Sequence, residues 1–213
     1  MRREAQVSSR LARAVSRLRW HHAVVAAVFA AGLALFGNGV WIKGKAVMAQ
    51  FLLDRAFLTA SSSRPADKPW GWADIRPMAR ITAPRLGIRN IVLDAVSGEA
   101  LAFGPGHVPG TALPGETGTA VFSAHRDTHF AWLGDLQKGD TVLVETGDGT
   151  VRQYRIRRAW VARYDAPGID RDAPERLIAL TTCWPLDAIE RGDLRYIVEG
   201  IEVDAKERAG QNL

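Results

Sequence analysis

Cysteine is nearly absent from this chain: of 213 residues, only Cys183 carries a thiol. A single cysteine excludes an internal disulfide, so the usual use of cysteine in an oxidising compartment is missing. An unpaired thiol there must be either buried or used. Other features are lacking too. There is no internal repeat and no Gly-x-Ser-x-Gly nucleophile turn. No helical pattern alternates with the strand-like segments, which argues against a parallel α/β sheet. Outside the N-terminus there is no basic excess. The formal charge is +5, but residues 1–22 hold Arg2, Arg3, Arg10, Arg13, Arg17 and Arg19 against Glu4. Without them, the 28 basic and 23 acidic residues become 22 of each. The excess is a tail and not a binding face, so no nucleic-acid partner is expected.

Charge is absent altogether from residues 23–42. Twenty helical residues span about 30 Å, the thickness of a bilayer core. Arginines before this stretch and few charges after it predict a single pass with the N-terminus in the cytoplasm. Trp41 suits an interfacial anchor, while Gly32, Gly37, Asn38 and Gly39 weaken the span. A cleaved signal peptide is the alternative, with Val47-Met48-Ala49 as its small-residue site. Its apolar region is usually only about 7–15 residues, and Lys43 and Lys45 lie between the span and that site. The expected organisation is a basic cytoplasmic tail (1–22), a transmembrane signal-anchor (23–42), a juxtamembrane helix and Ser/Pro linker (43–69) and an exported domain (70–213). This corresponds to a protein of the inner (cytoplasmic) membrane with its domain on the periplasmic or extracytoplasmic side.

Within 70–213, segments 81–83, 91–93, 119–124, 141–145, 151–161, 177–182 and 194–203 are rich in Val, Ile, Thr and aromatic residues. That composition predicts strands. Gly147-Asp148-Gly149 between two of them predicts a hairpin, because Asp-Gly tolerates positive φ. Pro84, Pro105, Pro109 and Pro114 break the intervening chain. Many short strands predict a mainly β domain, a closed antiparallel barrel or a sandwich.

Cys183 ends the run Ile178-Ala179-Leu180-Thr181-Thr182-Cys183-Trp184-Pro185, and His125 ends Val121-Phe122-Ser123-Ala124-His125. A lone thiol and an imidazole, each at a strand end, fit a nucleophile and its proton-transfer partner. Most free cysteines are instead small buried apolar side chains. Arg191 and Arg195 follow Cys183 and offer positive charge for a thiolate or an oxyanion. Two other readings involve His125. With His129, four residues on, it resembles a zinc pair, but a clear third ligand is lacking. With Ser123 and Asp127 it shares a strand face, but these residues are too close in sequence for a typical serine triad. His107, in Gly104-Pro105-Gly106-His107-Val108-Pro109-Gly110, either shapes a substrate groove or serves the turn.

Leu180-Thr181-Thr182-Cys183 resembles the Thr-Leu-x-Thr-Cys signature of the sortases, with Ala179 in place of its first Thr. The strand end carrying His125 and the Arg of Leu194-Arg195-Tyr196-Ile197-Val198 complete the resemblance. Two longer stretches, Phe103-Gly104-Pro105-Gly106-His107-Val108-Pro109-Gly110 and His125-Arg126-Asp127-Thr128-His129-Phe130, look like the sortases of Gram-negative bacteria. Ser123-Ala124 stands where related sequences often have Ala-Gly. Glu190-Arg191-Gly192-Asp193 replaces a Gly/Pro-rich segment and adds a competing arginine.

The resemblance implies an eight-stranded closed β-barrel and transpeptidation. The substrate would be an exported protein with a C-terminal Leu-Pro-x-Thr-Gly-like sorting signal, and the acceptor an amine. It implies Cys183 as nucleophile, His125 as proton donor and acceptor, and Arg195 as oxyanion or substrate-backbone partner. Thr182, His107 and Arg191 are further candidates for substrate binding. No metal or organic cofactor is implied; calcium activates part of the family, but its carboxylate ligands are not assignable in this sequence. Two rival readings are weighed. One is another exported Cys/His acyltransferase or hydrolase of the L,D-transpeptidase type, whose His-Gly-x-x and Ser-x-Gly-Cys patterns are missing. The other is a non-catalytic anchored β-domain that binds a partner protein.

Overall fold

A computed structural model describes residues 28–33, 35–38, 41, 44, 48–61, 64–188, 190 and 192–203. The chain divides into two compact units, Met1–Met48 and Ala49–Leu213. In the first, the described residues are helical, with Val28, Phe29, Leu33, Leu35, Phe36 and Trp41 exposed. The rest of the expected span and the whole basic tail lie outside the described residues. Among the described residues, no helix is long and apolar enough to cross a membrane.

The second unit is built on eight strands: β1 (Pro77–Ala83), β2 (Ile88–Leu93), β3 (Gly106–His107), β4 (Gly118–Ser123), β5 (Thr141–Thr146), β6 (Val151–Arg163), β7 (Arg176–Trp184) and β8 (Leu194–Glu202). They close into a barrel in the order β1-β2-β3-β4-β7-β8-β6-β5, with β5 returning to β1. Closure leaves no edge strand exposed to pairing.

The mainly β closed barrel matches the expectation, but its strands are not all antiparallel. β2 pairs with β3, and β4 with β7, in parallel. A parallel neighbour needs a long crossover, and the chain makes one between β4 and β7 by running through β5 and β6. Local alternation of apolar residues carries no record of such a non-local pairing. β3 itself escapes the sequence reading because two residues are too few to show a period. Its Gly106 is required by close approach: a Cβ there would fall 2.0 Å from the Ala95 carbonyl oxygen.

Inward-facing residues fill the barrel. Ile81, Val92, Phe122, Val142, Val144, Tyr154, Ile156, Ile178, Leu180 and Val198 pack with Phe130, Trp132 and Leu133 from the segment after β4. Burying an aliphatic or Phe side chain of this size contributes about 1.5–3 kcal/mol. The helical residues 49–57 belong to the same unit. Leu53 and Phe57 pack with Ala73, Ile75, Ile91, Leu93 and Ala100 in a second cluster. The Gly147-Asp148-Gly149 hairpin joins β5 to β6 as expected, with Gly149 at φ 80°. Asp148 caps it by accepting from the Thr150 amide (3.0 Å) and from the hydroxyls of Thr146 (2.6 Å) and Thr150 (3.0 Å).

Candidate active site

β7 lies between β4 and β8 and is buried on both faces through most of its length, by the barrel core on one side and an outer apolar cluster on the other. Successive side chains alternate sides. Ile178 and Leu180 point into the barrel. Ala179 packs outside it, with Val121 of β4 and Ile197 of β8. Thr181 and Cys183 continue that outer row. The strip is walled by Val108 on one side and by Trp160, Ala162 and Ile169 on the other. Hydrogen bonds pin the β6–β7 connection over it. The Thr119 hydroxyl donates to the Asp170 carbonyl (2.5 Å), the Thr119 amide to the Arg171 carbonyl (3.1 Å) and the Trp160 indole to the Pro167 carbonyl (2.8 Å).

Cys183, half-buried, stands at the open end of this row, directly opposite Arg195 on β8. Opposed residues of an antiparallel pair share a face, with Cβ atoms about 4.5–5.5 Å apart. On the other flank, β4 runs parallel to β7 with Ser123 beside Thr181. The Ala124 amide donates to the Thr181 carbonyl at 3.2 Å, so the register persists past the strand end. His125 follows directly, exposed and just past the end of β4, on the flank of β7 opposite β8. The β4–β7 and β7–β8 pairings thus bring together the strand ends that carry an imidazole, a thiol and a guanidinium, from positions up to 70 apart in sequence.

Arg195 is half-buried and its orientation is fixed. Its Nη1 donates to the carbonyls of Gly192 (3.0 Å) and Leu194 (2.9 Å), and the guanidinium lies 5.8 Å from the centre of the Tyr164 ring. Neither His125 nor Cys183 makes a side-chain hydrogen bond among the described residues, and both are open to an incoming group. His129 is held elsewhere, with its Nε2 3.4 Å from the Ala102 carbonyl oxygen. Burial lowers its pKa below the ordinary histidine value. The Ala102 carbonyl works against this, and the nearby charge of His125 adds to it. Asp127 is exposed and hydrogen-bonded to none of these groups.

Two of the expected substrate-binding residues make internal hydrogen bonds. Thr182 points to the other side of β7 from Cys183 and is buried, and its hydroxyl donates to the Ala124 carbonyl at 2.7 Å. That bond ties the β4 end bearing His125 to the β7 end bearing Cys183. His107 is buried in β3, with its Nε2 2.9 Å from the Ala112 carbonyl oxygen and 3.1 Å from the Thr111 hydroxyl. Its ring tilts against Phe122, 5.8 Å between centres. It holds the β3–β4 turn. Arg191 lies outside the described residues.

Sequence reasoning passed over Arg126, which follows His125 and is buried. Its sequence signals are that adjacency and its place in the stretch 125–130. A cleft of about 300 Å³ between residues 60, 61 and 64–66, the start of β1 and the β5–β6 turn is lined by none of the site residues.

A closed β-barrel with a thiol on its outer face, between an imidazole-bearing strand end and an opposed arginine, defines the class of this domain. The sortase domain matches residues 81–203, more than half of the chain, and the chain belongs to the sortase family. Sortase D of Bacillus subtilis (strain 168) is 28% identical over 120 residues, which cover 56% of this chain and 61% of that protein. The chain thus spans somewhat less than two thirds of this relative's length. Among solved structures, the Clostridium perfringens sortase D5 transpeptidase is 26% identical with a TM-score of 0.53. That match covers 61% of this chain and 80% of that one. Sortase C-1 from Actinomyces oris is 27% identical with a TM-score of 0.55, over 62% of this chain and 76% of that one.

Proposed function

We propose that this chain is a membrane-anchored cysteine transpeptidase. It cleaves a Leu-Pro-x-Thr-Gly-like sorting motif of an exported protein through a thioester on Cys183 and passes the acyl group to an amine acceptor. The observation that carries this reading is the β7–β8 register, which opposes the lone thiol to Arg195, with the strand end that precedes His125 paired to β7 on its other flank.

Cys183 reacts as thiolate. Its Sγ attacks the carbonyl carbon of the motif residue before the scissile bond, and the carbonyl π pair moves to oxygen. Arg195 stabilises that oxyanion. Because two main-chain carbonyls hold its Nη1, the remaining guanidinium N–H groups keep one direction as charge develops, which is the condition for preorganised stabilisation. His125, as imidazolium, gives its proton to the departing nitrogen while the C–N bond breaks and the thioester remains. An acceptor amine then attacks the thioester, His125 takes up a proton from it, and the C–S bond breaks to return the thiolate. Water in place of the amine gives hydrolysis.

The anchor rests on the uncharged residues 23–42 and the arginine-rich tail before them, which also support an inner-membrane location with the barrel outside the cytoplasm. Confining enzyme and substrate to one bilayer surface raises their effective concentration without new contacts. Assignment to the class of Gram-negative sortases rests on the stretches 103–110 and 125–130.

The test is intact mass of the full chain in detergent micelles after incubation with a panel of Leu-Pro-x-Thr-Gly-like peptides. The expected result is a mass increase equal to the peptide's N-terminal fragment, absent in Cys183→Ala. If no peptide yields an adduct and iodoacetamide also fails to label Cys183, the thiol is structural and the reading is overturned. An anchored binding module would instead keep its function in Cys183→Ala and His125→Ala.

A further inference from the structure

We infer that Arg126 is a positioning residue: it clips the β7–β8 connection to the segment that follows His125 and so holds Cys183 and Arg195 in register with the imidazole. The inference rests on the reading of those three groups as the reacting set. Arg126 is buried, and its Nη1 donates to the Pro185 carbonyl (2.9 Å) while its Nη2 donates to the Glu190 carbonyl (2.5 Å). These acceptors lie 59 and 64 residues away, one at the start of the connection between Cys183 and Arg195 and the other near its middle. Among the described residues it has no carboxylate partner; a buried cation is held by main-chain carbonyls alone.

A second contact acts at the same junction. In the 3-10 turn Ala131–Asp135, a Cβ on Gly134 would lie 2.6 Å from Cδ1 of Leu186, so Leu186 rests directly against that backbone. One polar and one apolar contact therefore dock the connection onto the stretch 126–134.

The need for such a clip follows from topology. Cys183↔Arg195 and Trp184↔Leu194 are the last two pairs of the β7–β8 ladder, and strand ends open at the lowest free-energy cost. His125 lies beyond the last β4–β7 pair, and the Ala124 residue before it is held by bonds to Thr181 and Thr182. Arg126 joins these two ends. A planar guanidinium reaches two carbonyls in fixed directions, whereas a lysine ammonium serves one of them as a point donor.

The experiment compares full-length Arg126→Lys, Arg126→Gln and Leu186→Ala with the parent chain in three readouts. These are hydrogen exchange of the β7–β8 connection, the pH profile of Cys183 alkylation by iodoacetamide, and kcat and KM with the peptide that acylates the parent. The expected result is faster exchange confined to the connection, a displaced alkylation profile, and a fall in kcat of about tenfold or more with KM within about twofold, as for a small misplacement of reacting groups. Arg126→Lys does not rescue it, and Leu186→Ala, which keeps the buried cation, moves the same readouts less. The inference is overturned if Arg126→Gln keeps parent exchange and alkylation profiles, or if kcat falls only in proportion to unfolded protein. Exchange and alkylation need no peptide, so failure of the sorting-motif reading leaves this test standing.

Discussion

Cys183 and Arg195 occupy opposed positions on β7 and β8, one pair in from the end of the ladder, where Trp184 meets Leu194. Opposed residues share a face, so the arginine side chain starts from the thiol's side of the sheet. Arg195→Lys is therefore informative: it keeps the charge and loses the fork. The acylation rate is expected to fall about 100-fold or more, the usual consequence of losing an oxyanion donor, while iodoacetamide still labels Cys183. Single-turnover acylation followed by intact mass measures both. An active Arg195→Lys enzyme would leave the arginine with only a charge-balancing role.

Thr182 makes its contribution through a buried bond. Its hydroxyl satisfies the Ala124 carbonyl, and Thr182→Val fills the same space without a donor. An acceptor left unpaired in the interior costs about 1–3 kcal/mol. Urea unfolding should register that loss, together with a fall in acylation because the β4 end is no longer tied to β7. Thr182→Ser keeps the donor and should stay close to the parent in activity. Equal stability of the Val and Ser variants would remove the bond from the account.

His129 predicts an acid limit on stability. Burial, and to a lesser degree the neighbouring His125 charge, set its pKa below the ordinary 6.5, against the pull of the Ala102 carbonyl. On acidification the unfolded chain therefore takes up this proton before the folded one does. More protons bound in the unfolded state means that stability falls as pH drops through about 6.5 toward the folded value. His129→Gln should flatten the pH dependence of the urea midpoint in that window. An unchanged slope would mean that the side chain titrates in the folded protein as it does in the unfolded one.

An alkaline limit follows from Tyr154. Burial, then the Glu202 carboxylate, push its phenol up to about 12. The unfolded phenol ionises near 10, so between pH 10 and 12 the unfolded state loses protons that the folded state keeps, and stability falls. The total is on the order of 2–3 kcal/mol. Its hydroxyl is buried and makes no hydrogen bond of good geometry, the Gly115 backbone offering only a weak one, so Tyr154→Phe is expected to be close to neutral at pH 7. The same change should remove part of the alkaline loss. Circular dichroism across pH 9–12 distinguishes the two chains, and identical curves would show that Tyr154 ionises freely.

Much of the architecture was legible in the chain itself because it is written in short-range terms. β-branched and aromatic runs marked seven of the eight strands, Gly147-Asp148-Gly149 marked a turn, and a solitary cysteine followed by Trp-Pro marked a strand end worth attention. By itself the sequence determined a mainly β domain, the residues able to do thiol chemistry and the uncharged stretch before them. Only the tertiary structure decided which of those residues meet. The parallel β4–β7 pairing, the two-residue β3 and the opposition of Cys183 to Arg195 depend on contacts between separate segments, in the first case 58 residues apart. Alternation along a strand specifies a face and not a neighbour. The same limit explains Thr182, His107 and Arg126: a hydroxyl, an imidazole and a guanidinium each suit a substrate as well as a backbone carbonyl, and only the fold fixes which acceptor lies within reach.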